Sequence, residues 1–99
     1  MHLDEIELFA EETDAGFAGQ NPLYYVLGVG GEAGEIIELF KKNLRTKPVD
    51  NFEEKLADEI GDLLWYLARL ANINGMTLEE CWRITHKKLV RRHEEGYYK

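Results

Sequence analysis

The sequence predicts an all-α protein, a compact bundle of four helices that assembles into a multi-chain helical bundle. Three observations predict it. Apolar residues recur at helical spacing along most of the 99 residues, and no stretch sustains the alternation of a strand. Pro22, Pro48 and the Asn74-Gly75 pair divide the chain into four such segments. The third segment is apolar nearly all round from Leu63 to Ala71 apart from Arg69, more apolar surface than so short a chain can cover alone.

Each element has its own signals. The first helix spans about Leu3 to Asp14, with Ile6, Phe9 and Ala10 on one face, and Gly16 and Gly19 mark the loop after it. Asn21 serves as N-cap and Pro22 as first residue of the second helix, because proline lacks the N–H that would go unpaired there. That helix runs to about Leu44. Asn51 and Glu54 have capping-box spacing and open a third helix that reaches about Asn72. Thr77 and Glu80 form the standard box of the fourth, which turns Leu78, Cys81, Trp82, Thr85, Leu89 and Val90 inward. Gly96 suits the left-handed position just past its end. The connections are short, so residues 1–99 read as a single domain.

Composition narrows the function. A net charge of −7 argues against sequence-independent binding of a nucleic-acid backbone. No apolar run approaches the roughly 18 residues of a membrane span. The opening Met1-His2-Leu3-Asp4-Glu5 lacks the features of a secretory signal, and the single cysteine, Cys81, excludes an internal disulfide and a thiolate metal cage. Cys81 is read as core filler and the protein as cytoplasmic.

The two central helices echo each other: Glu32-Ala33-Gly34-Glu35-Ile36-Ile37 and Glu59-Ile60-Gly61-Asp62-Leu63-Leu64. At 100° per residue, the acids of each pair stand roughly 100° and 160° from the centre of their helix's apolar stripe. Two helices packed side by side therefore aim both pairs into one space. The plain alternative is a solvated acidic face. Against it, like charges one turn apart cost roughly 0.2–0.5 kcal/mol per pair. Each motif also carries a mid-helix glycine, which costs roughly 0.8–1.0 kcal/mol relative to alanine and permits close approach of a backbone or ligand. The face bearing Glu59 and Asp62 continues into Trp65 and Tyr66 on a helix that reads as buried, and buried carboxylates are costly unless paired or metal-bound. Ligands that are all carboxylate suit Mg²⁺ or Mn²⁺. A di-iron bundle requires Glu-x-x-His, and the residues three before His86 and His93 are Arg83 and Val90.

These residues resemble the MazG-type all-α nucleoside triphosphate pyrophosphohydrolases, whose motif is Glu-x-x-Glu, a spacer, then Glu-x-x-Asp. Glu59-Ile60-Gly61-Asp62-Leu63-Leu64-Trp65-Tyr66-Leu67 is similar to the second metal helix of that family nearly word for word, and Lys88-Leu89-Val90-Arg91-Arg92 to the start of its closing segment. The likeness covers roughly residues 23 to 97. Departures are Gly31 where the family often has a further Glu, Thr85 where it often has Asn, and His93-Glu94 where it has an aromatic and a proline.

The resemblance implies Mg²⁺-dependent cleavage of a (deoxy)nucleoside triphosphate to monophosphate and pyrophosphate, as in housecleaning of the nucleotide pool. The metal would be held by Glu32, Glu35, Glu59 and Asp62, and Glu35 or Glu38 would take the proton of the attacking water. Lys88 and Arg92, one turn apart on a basic helix, would hold phosphate; their other reading is complementing the helix dipole. Flat rings stack on bases, which makes Phe17, Trp65 and Tyr66 the base-binding candidates, with Tyr24 and Trp82 further ones and core packing the competing role of each. Arg69 either balances the charge of the site or lies at a subunit boundary. Lys41, Lys42, Arg45 and Lys47 are solvating charges, or reach a phosphate from a neighbouring subunit. Family members are dimers or tetramers with sites lined by more than one chain, so a homodimer or homotetramer is expected. The rival from another class is a non-catalytic helical oligomerisation or interaction module, which would leave the repeated Gly-plus-acid hexamer unexplained.

Overall fold

The structure is a computed structural model that describes residues 2–14, 21–45 and 47–96. Four helices follow in order: α1 (Leu3–Thr13), α2 (Leu23–Asn43), α3 (Phe52–Ile73) and α4 (Leu78–Glu94). The expected loop glycines Gly16 and Gly19 lie outside the described residues.

α2 and α3 form an antiparallel hairpin, the most extensive packing in the chain. Phe40 meets Phe52 edge to face at 5.0 Å beside the connecting loop. At the far end the Tyr66 ring packs against Gly28, where any Cβ would collide with the ring carbons. Asn43 Oδ1 accepts a hydrogen bond from Val49 N at 3.1 Å and so closes the loop between them. α1 packs along α3, and α4 meets α1 and α3. At that junction the Glu7 carboxylate accepts from the Leu78 backbone N–H, a first-turn donor of α4 that has no partner within its own helix.

The helix ends bear out some signals and replace others. Thr77 Oγ1 accepts from Glu80 N at 3.1 Å, and Gly96 takes a positive φ of 78°. Asn21 caps α2 by accepting from Leu23 N at 3.0 Å. The capping box expected at Asn51 is absent: its φ is 55°, and its side chain makes no cap bond. Asparagine tolerates this left-handed backbone, which turns the chain into α3.

The core is small. Ala10, Tyr25, Leu39, Ala68 and Ala71 are its buried apolar residues, and no residue of α4 is buried. Trp82 and Val90, expected inward, are 54% and 42% exposed, Phe9 is 63% exposed, and Val26, Ile37, Phe40 and Ile60 of α2 and α3 also face outward. Cys81 is a half-buried free thiol. The Cα radius of gyration is 16.5 Å, against about 13 Å for a compact chain of this length. The helices form as the periodicity predicts, but a single chain does not supply enough neighbours to cover their apolar faces.

Candidate metal centre

The hairpin sets the Glu32–Glu35 turn of α2 against the Glu59–Asp62 turn of α3. Glu32, Glu59 and Asp62 each bring one carboxylate oxygen to within 4.8 Å of the others. Glu35 is not in that group of three, but it is the largest influence on the Glu59 carboxyl. Oε2 of Glu32 and Oε2 of Glu59 are buried with no hydrogen-bond partner. A buried carboxylate oxygen without a donor is costly, and these acids make no ion pair with any described residue. Two orphaned oxygens in an all-carboxylate set fit a hard divalent cation.

The electrostatics fit as well. The hydrogen bond with Glu35, then desolvation and Glu32, raise the Glu59 pKa from 4.5 to about 7. Desolvation is the main cause that raises Glu32, aided by the Glu35 and Asp62 charges, and also the main cause that raises Asp62, aided by Asp58 and Glu35. Each carboxylate brought close to others disfavours their charged form.

Residues 20–97 match the family model of the MazG nucleotide pyrophosphohydrolase domain. The chain belongs to that family. It is 33% identical to the Gene 37 protein of Mycobacterium phage L5, over 97% of this chain and 92% of that one. The crystal structure of iMazG from Vibrio DAT 722 superposes with a TM-score of 0.68 at 27% identity, covering 95% of this chain and 97% of its own. The MazG fold thus carries the acids on its central hairpin.

Two clefts flank the MazG acids. One, of about 360 Å³, is lined by Glu32, Asp62, Trp65 and Tyr66. The other, of about 510 Å³, is lined by Glu35, Glu38 and Glu59 together with Lys42 and Lys55. Trp65 and Tyr66 therefore stand beside the acids, and Glu38 joins Glu35 at the opposite cleft. Phe17 lies outside the described residues. Lys88 lines a separate groove on α4 with Ile84, Lys87 and Arg91, and no α4 residue lines either acid cleft. Arg92 does not line them either. Trp82 stands on α4 against His86.

Arg69 pairs with Asp14 and not with the acids of the cluster. Its Nε donates to Asp14 Oδ2 at 2.9 Å, with the two side chains 14% and 4% exposed. The Tyr25 hydroxyl donates to the same oxygen, and Arg69 lies 5.7 Å from the Tyr25 ring centroid. One carboxylate thus ties α1, α2 and α3 together. Sequence reasoning gave no role to Asp14, Tyr25, Gly28 or Lys55. Lys55 was within its reach, standing one turn before Glu59 on the same helix. Asp14 carries no such signal, because its partners come from distant segments.

Neither Gly34 nor Gly61 has an atom within 4 Å of where a Cβ would sit. Among the described residues, no close neighbour of the kind those glycines led one to expect stands there; Gly28 is a helical glycine that has one.

Proposed function

We propose that the protein is a Mg²⁺-dependent pyrophosphohydrolase that converts (deoxy)nucleoside triphosphates to monophosphates and pyrophosphate, acting on the nucleotide pool of the cytoplasm. The observation that carries this reading is the convergence of Glu32, Glu59 and Asp62, with two orphaned oxygens, beside an aromatic cleft. Glu32, Glu35, Glu59 and Asp62 would hold the ion, Mn²⁺ serving in place of Mg²⁺, and it supplies polarisation of the α-phosphate and a lowered pKa for the attacking water.

The remaining roles fall to the chain's own groups. Glu35 or Glu38 accepts the proton of the water that adds to the α-phosphorus as pyrophosphate leaves. Trp65 and Tyr66, with Phe17, take the base by stacking. Lys88 and Arg92 hold phosphate oxygens across a subunit boundary, since no α4 residue lines the acid clefts of its own chain. Such a boundary has support in the exposed Leu23, Leu27, Ile37, Phe40 and Ile84, and in an α4 with no buried residue. The assembly is a homodimer or homotetramer, which sedimentation equilibrium distinguishes.

The decisive experiment offers a panel of canonical, deoxy and modified nucleoside triphosphates with Mg²⁺ and identifies the released product. Pyrophosphate with monophosphate is expected. Release of orthophosphate with a diphosphate, or no metal-dependent turnover of any member, overturns the reading.

A further inference from the structure

Trp65 is held by a residue that the proposed chemistry does not use. Its indole Nε1 donates to Thr13 Oγ1 at 2.8 Å, across the interface of α3 with the last turn of α1. The Thr13 hydroxyl has one proton, and it goes back into its own helix, to Phe9 O at 2.7 Å with Ala10 O at 3.4 Å. The oxygen is therefore left as an acceptor, and the polarity of the pair is fixed. Trp65 also meets the Tyr66 ring at 5.0 Å and 79°, nearly edge to face. One turn further along α3, Arg69 binds Asp14, the residue after Thr13. The end of α1 is thus fastened to α3 at two successive turns, and the nearer fastening holds a ring that lines the cleft beside Glu32 and Asp62.

We propose that Thr13 is a positioning residue, which locks the Trp65 indole so that it presents a π surface, and no donor, to the base of the nucleotide. The inference rests on the proposed function. With its only N–H committed to Thr13, the ring attracts any base by stacking and reads none by hydrogen bonding. Trp65 then contributes affinity common to purine and pyrimidine triphosphates, and discrimination among bases comes from other groups.

The test compares Thr13→Val, which keeps the shape and removes the acceptor, with Thr13→Ser, which retains it. Thr13→Val is expected to raise KM about 5-fold for purine and pyrimidine substrates alike, with kcat within about twofold and the wild-type KM restored in Thr13→Ser. In a Trp65→Phe background, which has no indole N–H, Thr13→Val should no longer move KM. An unchanged KM in Thr13→Val, or an equal rise in the Trp65→Phe background, overturns the proposal. A direct spectroscopic readout covers the case of poor turnover. With Trp82→Phe, Trp65 is the one tryptophan left of two. Its near-UV circular dichroism should then weaken in Thr13→Val while the far-UV spectrum is kept, and an unaltered band overturns the lock. Wild-type protein that releases no pyrophosphate refutes the enzyme reading alone, and the Trp65 band still decides whether Thr13 holds the indole.

Discussion

Two groups of carboxylate oxygens lie about α3, and they are satisfied in opposite ways. Asp14 receives Arg69 and the Tyr25 hydroxyl on a single oxygen, so its charge is met by the chain itself. Glu32, Glu59 and Asp62 face one another, form no ion pair among the described residues, and leave two oxygens without donors. The first arrangement is complete and joins three helices. The second is left open by the described residues of the chain. An acid's neighbours therefore separate a structural carboxylate from a binding one more sharply than its burial does.

The largest expected effect breaks the open group. Glu59→Gln and Asp62→Asn should each lower pyrophosphate release on the order of 1000-fold, with the far-UV spectrum unchanged. Next comes the closed group: Arg69→Met leaves the Asp14 charge buried without its cation and should cost about 3 kcal/mol in urea unfolding. The two groups should separate in that experiment, since Arg69→Met should keep its thermal response to Mg²⁺ and Glu59→Gln should lose it. For the wild type, Mg²⁺ at 100 times its Kd should add about 2.7 kcal/mol, visible as a rise in Tm.

The smallest effect is in pH. The folded pKa of Glu59, about 7, lies above its ordinary 4.5, so the metal-free folded state binds this proton more tightly than the unfolded one does. That contribution to stability is fully present below about pH 4.5 and is lost as pH rises through about 7. Metal binding displaces the same proton, so the gain in Tm from Mg²⁺ should be larger at pH 8 than at pH 5.5. Melts with and without chelator across that range measure both slopes, and equal Mg²⁺ gains at the two ends would separate Glu59 from the site.

Much of this was legible in the residues, because it depends on local order. Helical periodicity placed all four helices to within one or two residues, and the matched angular offsets of Glu32-x-x-Glu35 and Glu59-x-x-Asp62 put their acids on facing sides of one hairpin. Trp65 and Tyr66 were placed beside them by the same periodicity. The partner of Arg69 was not legible for a physical reason: it stands 55 positions earlier in the chain. Trp82 and Val90, expected inward, are exposed because periodicity says which residues share a face and not whether one chain covers it.

The sequence by itself therefore determined the helices, their polarity and the family, since backbone hydrogen bonding and side-chain spacing are set within a few residues. Only the tertiary structure decided that three acids converge while Glu35 stands beside them, that Asp14 takes Arg69, and that Thr13 takes the indole N–H of Trp65. Those outcomes turn on distances between helices, which the packing of Tyr66 over Gly28 and of Phe40 against Phe52 sets and no local pattern encodes.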